Sequence, residues 1–440
     1  MPRSHRRAVV LVAHLFALAV VSLGCGREVA QPKRPNVLFI LTDEHRFDAL
    51  GCYGNETLQT PHLDALAAAG ARLECFYVAG PLCSPSRASF LSGLFPSQSQ
   101  VMDNRERSEF PERVTTVADR LDAAGYRTVF VGKAHMGGDP SRWGFRELPC
   151  VLAKGGAPLE ASKLLFNGEE RRVTGPVTKI FVDEAIRFLE ESEGDDRPWF
   201  LWLSTRAAHR PYVTTEGGPA YEAGKIPPPP GWPKGQPLSD HDWAGYYSTV
   251  SFLDREVGRL LEALESRGLS EDTLVVFAGD NGSMFGSHGE ARKQVWYEEC
   301  VRTPAIVRWP GVIAEGTVTT SPIVSVDFLP TVLEAAGASS EPLPEGVTGV
   351  SALAALRGEA PARQIAFAEL ERDERFGGGY WRMARDERFK YVRFDDGSER
   401  LYDLESDSSE LVDLTSAEGS RDTLTRLRGV LEEWSRQIGR

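Results

Sequence analysis

Val37-Leu38-Phe39-Ile40-Leu41, running on into Thr42-Asp43-Glu44, is an apolar stretch with no alternation. A strand with one wet face alternates apolar and polar residues, so this run reads as a strand covered on both faces. Similar runs recur at Thr128–Val131, Trp199–Leu203, Thr273–Ala278 and Ala305–Trp309, the last stopped by Pro310. Helical segments separate them: Pro61–Ala67, Val114–Ala124, Phe181–Glu191, and a long one whose Val250, Leu253, Val257, Leu260, Leu261 and Leu264 share one face. The alternation predicts an α/β fold with a mostly parallel central sheet flanked by helices. In such sheets ligands bind beyond the C-terminal strand ends. There the polar residues gather: Asp43-Glu44, Gly132-Lys133-Ala134-His135, His209 and Asp280-Asn281.

After Pro342 the pattern changes. Tyr380–Ala384, Lys390–Phe394 and Arg400–Asp403 read as short antiparallel strands, followed by a helix at Arg421–Ile438. The expected organisation is a catalytic domain over 35–341 and a small C-terminal antiparallel-sheet subdomain over 342–440.

The 440 residues carry a net charge of −13, which argues against nucleic acid as a general partner. An anionic substrate would have to be held by local cations against the overall field. Arg3, Arg6 and Arg7 precede an apolar run from Ala8 to Leu23. Residues 1–25 therefore read as an export signal, too short for a membrane span. Ser22-Leu23-Gly24-Cys25 is similar to a bacterial lipoprotein cleavage box, with Ser22 where an aliphatic residue is usual. Release as a secreted or periplasmic protein and an outer-membrane lipid anchor through Cys25 both remain open. Export permits disulfides among Cys52, Cys75, Cys150 and Cys300, in three connectivities, and free buried thiols are equally compatible.

Cys83-Ser84-Pro85-Ser86-Arg87 leads into Ala88-Ser89-Phe90-Leu91-Ser92-Gly93. Ser84 suits a helix cap, Pro85 the first turn and Gly93 the end. Cys83 would then lie at the positive end of a short helix, and Arg87 adds a planar fork of donors for oxyanions. Cys83-x-Pro85-x-Arg87 with Leu91-Ser92-Gly93 resembles the signature of the type I sulfatases of the alkaline phosphatase superfamily. The resemblance extends from Pro35 to about Leu414, including Leu401-Tyr402-Asp403-Leu404.

The resemblance implies that a maturation enzyme oxidises Cys83 to formylglycine, whose hydrate is the nucleophile. It implies a divalent cation, calcium first with magnesium and manganese as alternatives, held by Asp43, Glu44, Asp280, Asn281 and the modified Cys83. Glu44 departs from the Asp common at that position. Arg87, Lys133 and His135 are implied to serve the formylglycine, and His209 and Lys293 the sulfate and the leaving oxygen. Arg292 is the competing choice beside Lys293. His288, His45 and Arg46 are expected to line the substrate cleft; His62 and His241 are expected to be structural. The implied activity is sulfuric ester hydrolysis on a sulfated carbohydrate, with specificity on the loops Asp139–Thr174 and Thr214–Asp240. A phosphonate or phosphate ester hydrolase on the same fold is the alternative, and a non-catalytic glycan-binding protein the alternative of another class.

Overall fold

Leu38 and Ile40 pack into one hydrophobic layer, while Val37, Phe39 and Leu41 pack into another, so the strand Asn36–Asp43 is buried on both faces. These positions belong to a computed structural model that describes residues 34–440, apart from 105–108, 112–113, 138, 156–161, 214–217, 230, 234–241, 292, 340–341, 373 and 375–376. Residues 1–25, expected to be an export signal, with Cys25, and also His241 and Arg292, lie outside the described residues.

The strand sits inside a ten-stranded sheet. In spatial order the strands are Thr317–Thr319, Ala71–Leu73, Ala305–Arg308, Thr273–Gly279, Asn36–Asp43, Trp199–Ala208, Arg127–Lys133, Glu147–Leu152, Ser162–Phe166 and Glu169–Val173. The five from Thr273–Gly279 to Glu147–Leu152 run parallel. Ala305–Arg308 is antiparallel to its neighbours, as is the hairpin Ser162–Val173 at the far edge. That hairpin falls in a stretch expected to be loop.

Helices Pro61–Ala68, Val177–Glu191 and Trp243–Ser266 cover one face, contributing Leu63, Phe181, Val250, Leu253 and Leu260 to its core. Helices Cys83–Ser92, Val117–Ala123 and Phe328–Ala335 cover the other. At the centre of that second layer the Phe39 ring lies 4.2 Å from Phe328, 4.7 Å from Trp202 and 5.3 Å from Phe90. Removing such a ring costs about 3–5 kcal/mol. The helix Cys83–Ser92 is thereby locked onto the central strand, which fixes where Cys83 stands.

Residues 366–403 form a four-stranded antiparallel sheet, Ala366–Glu371, Tyr380–Arg385, Phe389–Phe394 and Glu399–Asp403 in that order, with helix Arg421–Gln437 packed on it. Its core continues into Tyr77, Phe95 and Val324 of the main body. All five described cysteines are free, so no disulfide forms among Cys52, Cys75, Cys150 and Cys300. No helix of the described residues is long and apolar enough to cross a membrane.

Candidate active site

Four adjacent central strands end at one place, and each delivers a polar residue there. Asp43 and Lys133 are the last residues of their strands, while His209 and Asp280 follow theirs directly. Gly132 makes the close approach possible. Its φ is 113°, and a Cβ there would stand 1.9 Å from the Ser204 carbonyl oxygen, so any side chain would push Lys133 out of place.

Opposite the strand ends, the helix Cys83–Ser92 points its first residue into the site, and all ten of its residues are buried. Its N-cap is Leu82, with no side-chain cap. Ser84, expected to cap the helix, lies in its first turn; its hydroxyl donates to the His135 carbonyl and its N–H donates to Asn104 Oδ1 at 2.9 Å. Gly93 ends the helix with φ 71°.

Cys83 Sγ stands 3.5 Å from Asp43 Oδ1 and 3.0 Å from Lys293 Nζ. Lys133 Nζ donates to Asp43 Oδ2 at 2.6 Å. Arg87 donates from Nε and Nη2 to Asp280 Oδ2, at 3.0 and 2.7 Å, and from Nη1 to the Lys133 carbonyl at 2.9 Å and to the Ser204 hydroxyl. Asp280 Oδ1 accepts the Glu44 N–H at 2.9 Å. Lys293 Nζ also reaches Asn281 Oδ1 and Glu44 Oε2, each at 3.4 Å. His209 Nε2 is 3.3 Å from Glu44 Oε2, and its side chain, a quarter exposed, stands at the mouth.

The electrostatics follow from burial and these contacts. Burial would raise the Asp43 carboxyl, but Lys133, His209, Arg87 and Arg206 outweigh it and hold the group ionised, well below the usual carboxylate range. Burial would strip the Lys293 proton, yet Cys83, Glu44, Asp43 and Asp280 keep it bound. Burial pushes the Cys83 thiol up, against the pull of Lys133 and Lys293, so the encoded side chain is a neutral thiol. His135 is driven down to about 2, by burial and then by Lys133 and Arg87, and its imidazole is neutral. Its Nδ1 is buried without a partner.

Asp43, Cys83 and Asp280 offer ligand atoms within 4.8 Å of one another. Two buried carboxylates beside the Asn281 amide oxygen are the hard donor set that a divalent cation takes. Glu44 is not in that group; its longer side chain lies between Lys293 and His209.

Two cleft expectations are corrected. His45 is fully buried, its ring nitrogens 3.2 Å from Thr42 Oγ1 and 3.1 Å from the Ala49 carbonyl, and burial lowers it to about 4. Arg46 is equally buried, paired with Asp48 and donating to the Ser283 and Met284 carbonyls. Both brace the loop after Asp43 from behind. His288 stacks on Tyr297 at 3.9 Å, with Nε2 3.7 Å from Glu299. His62 donates its backbone N–H to Asp254 at 3.3 Å and packs its ring against Gly258, a structural placement.

The C-terminal sheet reaches the site in a way the sequence did not signal. Trp381 Nε1 donates to the Gln294 carbonyl at 3.0 Å, and Arg372 pairs with Glu290 at 3.2 Å, so the Lys293 loop is pinned on both sides.

Comparison with known proteins agrees with this geometry. The Sulfatase family model matches residues 35–338, and a model described as N-sulphoglucosamine sulphohydrolase, C-terminal, matches 286–437. The chain is 29% identical over 404 residues to an ulvan-active sulfatase of Formosa agariphila, covering 86% of this chain and 76% of the relative. It is 26% identical to an N-acetylglucosamine-6-O-sulfatase of Bacteroides thetaiotaomicron, covering 96% and 90%. A solved structure in complex with its substrate D-glucosamine-2-N,6-O-disulfate superposes with a TM-score of 0.80 at 25% identity, over 92% of this chain and 98% of that one. With family models matching from residue 35 to 437, the chain belongs to the type I sulfatases of the alkaline phosphatase superfamily and is a sulfuric ester hydrolase.

Proposed function

We propose that the chain removes sulfate from a sulfated carbohydrate, using formylglycine made from Cys83 by a maturation enzyme and a calcium ion held by Asp43, Asp280 and Asn281. The convergence of Cys83, Lys293 and Asp43 at the amino end of a fully buried helix carries this reading. A neutral, buried thiol is a poor nucleophile, so the position calls for its oxidised form. The carbohydrate class rests on the relatives named for ulvan and N-acetylglucosamine-6-sulfate and on the disulfated glucosamine complex.

The bound cation would neutralise sulfuryl oxygens, and the hydrated aldehyde would provide the attacking hydroxyl. The chain's own residues do the rest. Arg87 clamps Asp280 with two donors, fixing the carboxylate that orients residue 83. Lys293 presents a fixed ammonium to the sulfate. His209 Nδ1 lies 2.8 Å from the Arg210 carbonyl, which can only accept, so Nδ1 carries a hydrogen; Nε2, 3.3 Å from Glu44 Oε2, gives its proton to the ester oxygen from the imidazolium form. His135, neutral and with Nδ1 unpartnered, accepts a proton from residue 83 when sulfate leaves.

Export directed by residues 1–25, with or without a lipid anchor at Cys25, is part of the same proposal, since sulfated polysaccharides lie outside the cell membrane. The test is turnover of the formylglycine-bearing protein on matched aryl sulfate and aryl phosphonate, followed by defined sulfated saccharides. Sulfate should be preferred in the first comparison, with saccharide desulfation in the second. Preference for the phosphonate would overturn the reading.

A further inference from the structure

Arg206 lies three residues before His209, on the strand Trp199–Ala208, and is 6% exposed. Its Nη2 donates to the Arg210 carbonyl, the oxygen that also takes the His209 Nδ1 hydrogen. Its Nε and Nη1 are buried with no hydrogen-bond partner. Among the described residues no carboxylate forms an ion pair with this guanidinium, although Asp43 feels its charge.

A cavity of about 20 Å³ lies beside it, lined by Arg206, Val177, Thr178, His209, Val213 and Thr249. Val177 and Thr178 are the first residues of the 15-residue helix Val177–Glu191, whose N-cap Pro176 offers no side-chain cap and whose first turn holds no acid. Two sources of positive potential therefore meet in one small space, an unpaired guanidinium and a helix amino end. A buried charge without a counter-charge is strongly destabilising. Water would satisfy N–H groups but leave the charge uncompensated. A volume of about 20 Å³ suits a monatomic anion.

We propose that this cavity is a halide site, filled by a single chloride held between Arg206 Nε and Nη1 and the first turn of the helix Val177–Glu191. The ion completes the shell of Arg206, and Arg206 holds the carbonyl that orients His209. Chloride is thus a structural ligand of the turn that carries His209.

The formylglycine-bearing protein, exchanged into sodium gluconate, is titrated with sodium chloride or bromide at constant ionic strength. A saturable rise of about 2 °C in the melting midpoint is expected, absent in Arg206→Gln. Crystals grown in bromide should show one anomalous peak between Arg206 and Thr178. A parent protein with no saturable shift, a shift unchanged in Arg206→Gln, or water in place of the peak would overturn the proposal. If Arg206→Gln does not fold, the bromide peak in the parent decides alone.

Discussion

At the strand ends, the carboxylates of Asp43, Glu44 and Asp280 face the cations of Arg87, Lys133 and Lys293. Beneath the C-terminal sheet, Lys390, fully buried, sits 2.9 Å from Glu298 and 2.8 Å from Glu410, with Tyr77 donating to Glu298 at 3.0 Å. Both are buried charge clusters, and they resolve their charge differently. The second is closed, and burial, with Glu298 and Glu299 against Lys390, pushes Glu410 up to about 8, so surplus negative charge is shed as a bound proton. The first holds Asp43 and Glu44 ionised against Lys133, Lys293 and His209, and it reaches the surface at His209, whose side chain is a quarter exposed. A divalent ion added there leaves the site net positive, as an anionic sulfate ester requires. Buried charge marks a functional site where it reaches the surface, and a structural one where it closes on itself.

The sharpest break of that comparison is one substitution in each cluster. Cys83→Ala should lower turnover by at least about 10⁴-fold while shifting the melting midpoint by no more than a few degrees, because Sγ makes only polar contacts to Asp43 and Lys293. Lys390→Ala should do the reverse. Losing the cation leaves buried Glu298 with only the Tyr77 hydroxyl and Arg302, 3.8 Å away, a cost of up to about 3 kcal/mol, with kcat of the folded fraction unchanged. Activity assays and denaturant titrations on both variants decide it. An active Cys83→Ala protein would remove the open cluster from the chemistry.

The two clusters were not equally legible. The central strand, the helix at Cys83 and the strand-end residues could be read because unalternated apolar runs and a compact motif mark them locally. Neighbouring residues misled where adjacency stood in for geometry. His45 and Arg46 follow Asp43 in sequence but turn behind it, satisfied by Ala49, Asp48 and backbone carbonyls. The strand Trp199–Ala208 runs five residues past the expected Leu203, since Ser204 and Arg206 look like loop until Arg87 and Thr178 supply their partners. The hairpin Ser162–Val173 is rich in charge because it is a sheet edge, and edge strands carry charge to avoid further pairing. Glu410 gave no sign at all, for its partners lie more than a hundred residues away in Glu298 or across the sheet in Lys390.

Within the open cluster, the leaving-group side can be separated from the rest. His209→Ala and Lys293→Ala should slow hydrolysis of sugar sulfates by roughly 10²–10³-fold, but aryl sulfates with nitrophenolate leaving groups by only about tenfold. A good leaving group needs little protonation in the transition state, so a missing acid costs it less. His135→Ala should slow all esters alike. Turnover of each variant across esters graded by leaving-group pKa gives the slopes. Parallel slopes for parent, His209→Ala and Lys293→Ala would merge the two sides.

The smallest effect tests how the closed cluster disposes of its charge. Glu410 is held near 8 in the folded protein against an ordinary value of 4.5. Between those values the folded state keeps a proton that the unfolded state has released. Stability from this group is therefore full below about pH 4.5 and is lost as pH rises through about 8, at no more than about 1.4 kcal/mol per pH unit. Glu410→Gln has no proton to lose, and its amide can still accept from Lys390. At pH 5 it should match the parent closely; at pH 9 it should be the more stable of the two. Urea midpoints at pH 5, 7 and 9 measure the divergence. If the two proteins lost stability in step across that range, Glu410 would be ionised in the fold, and the closed cluster would hold its surplus charge just as the open one does.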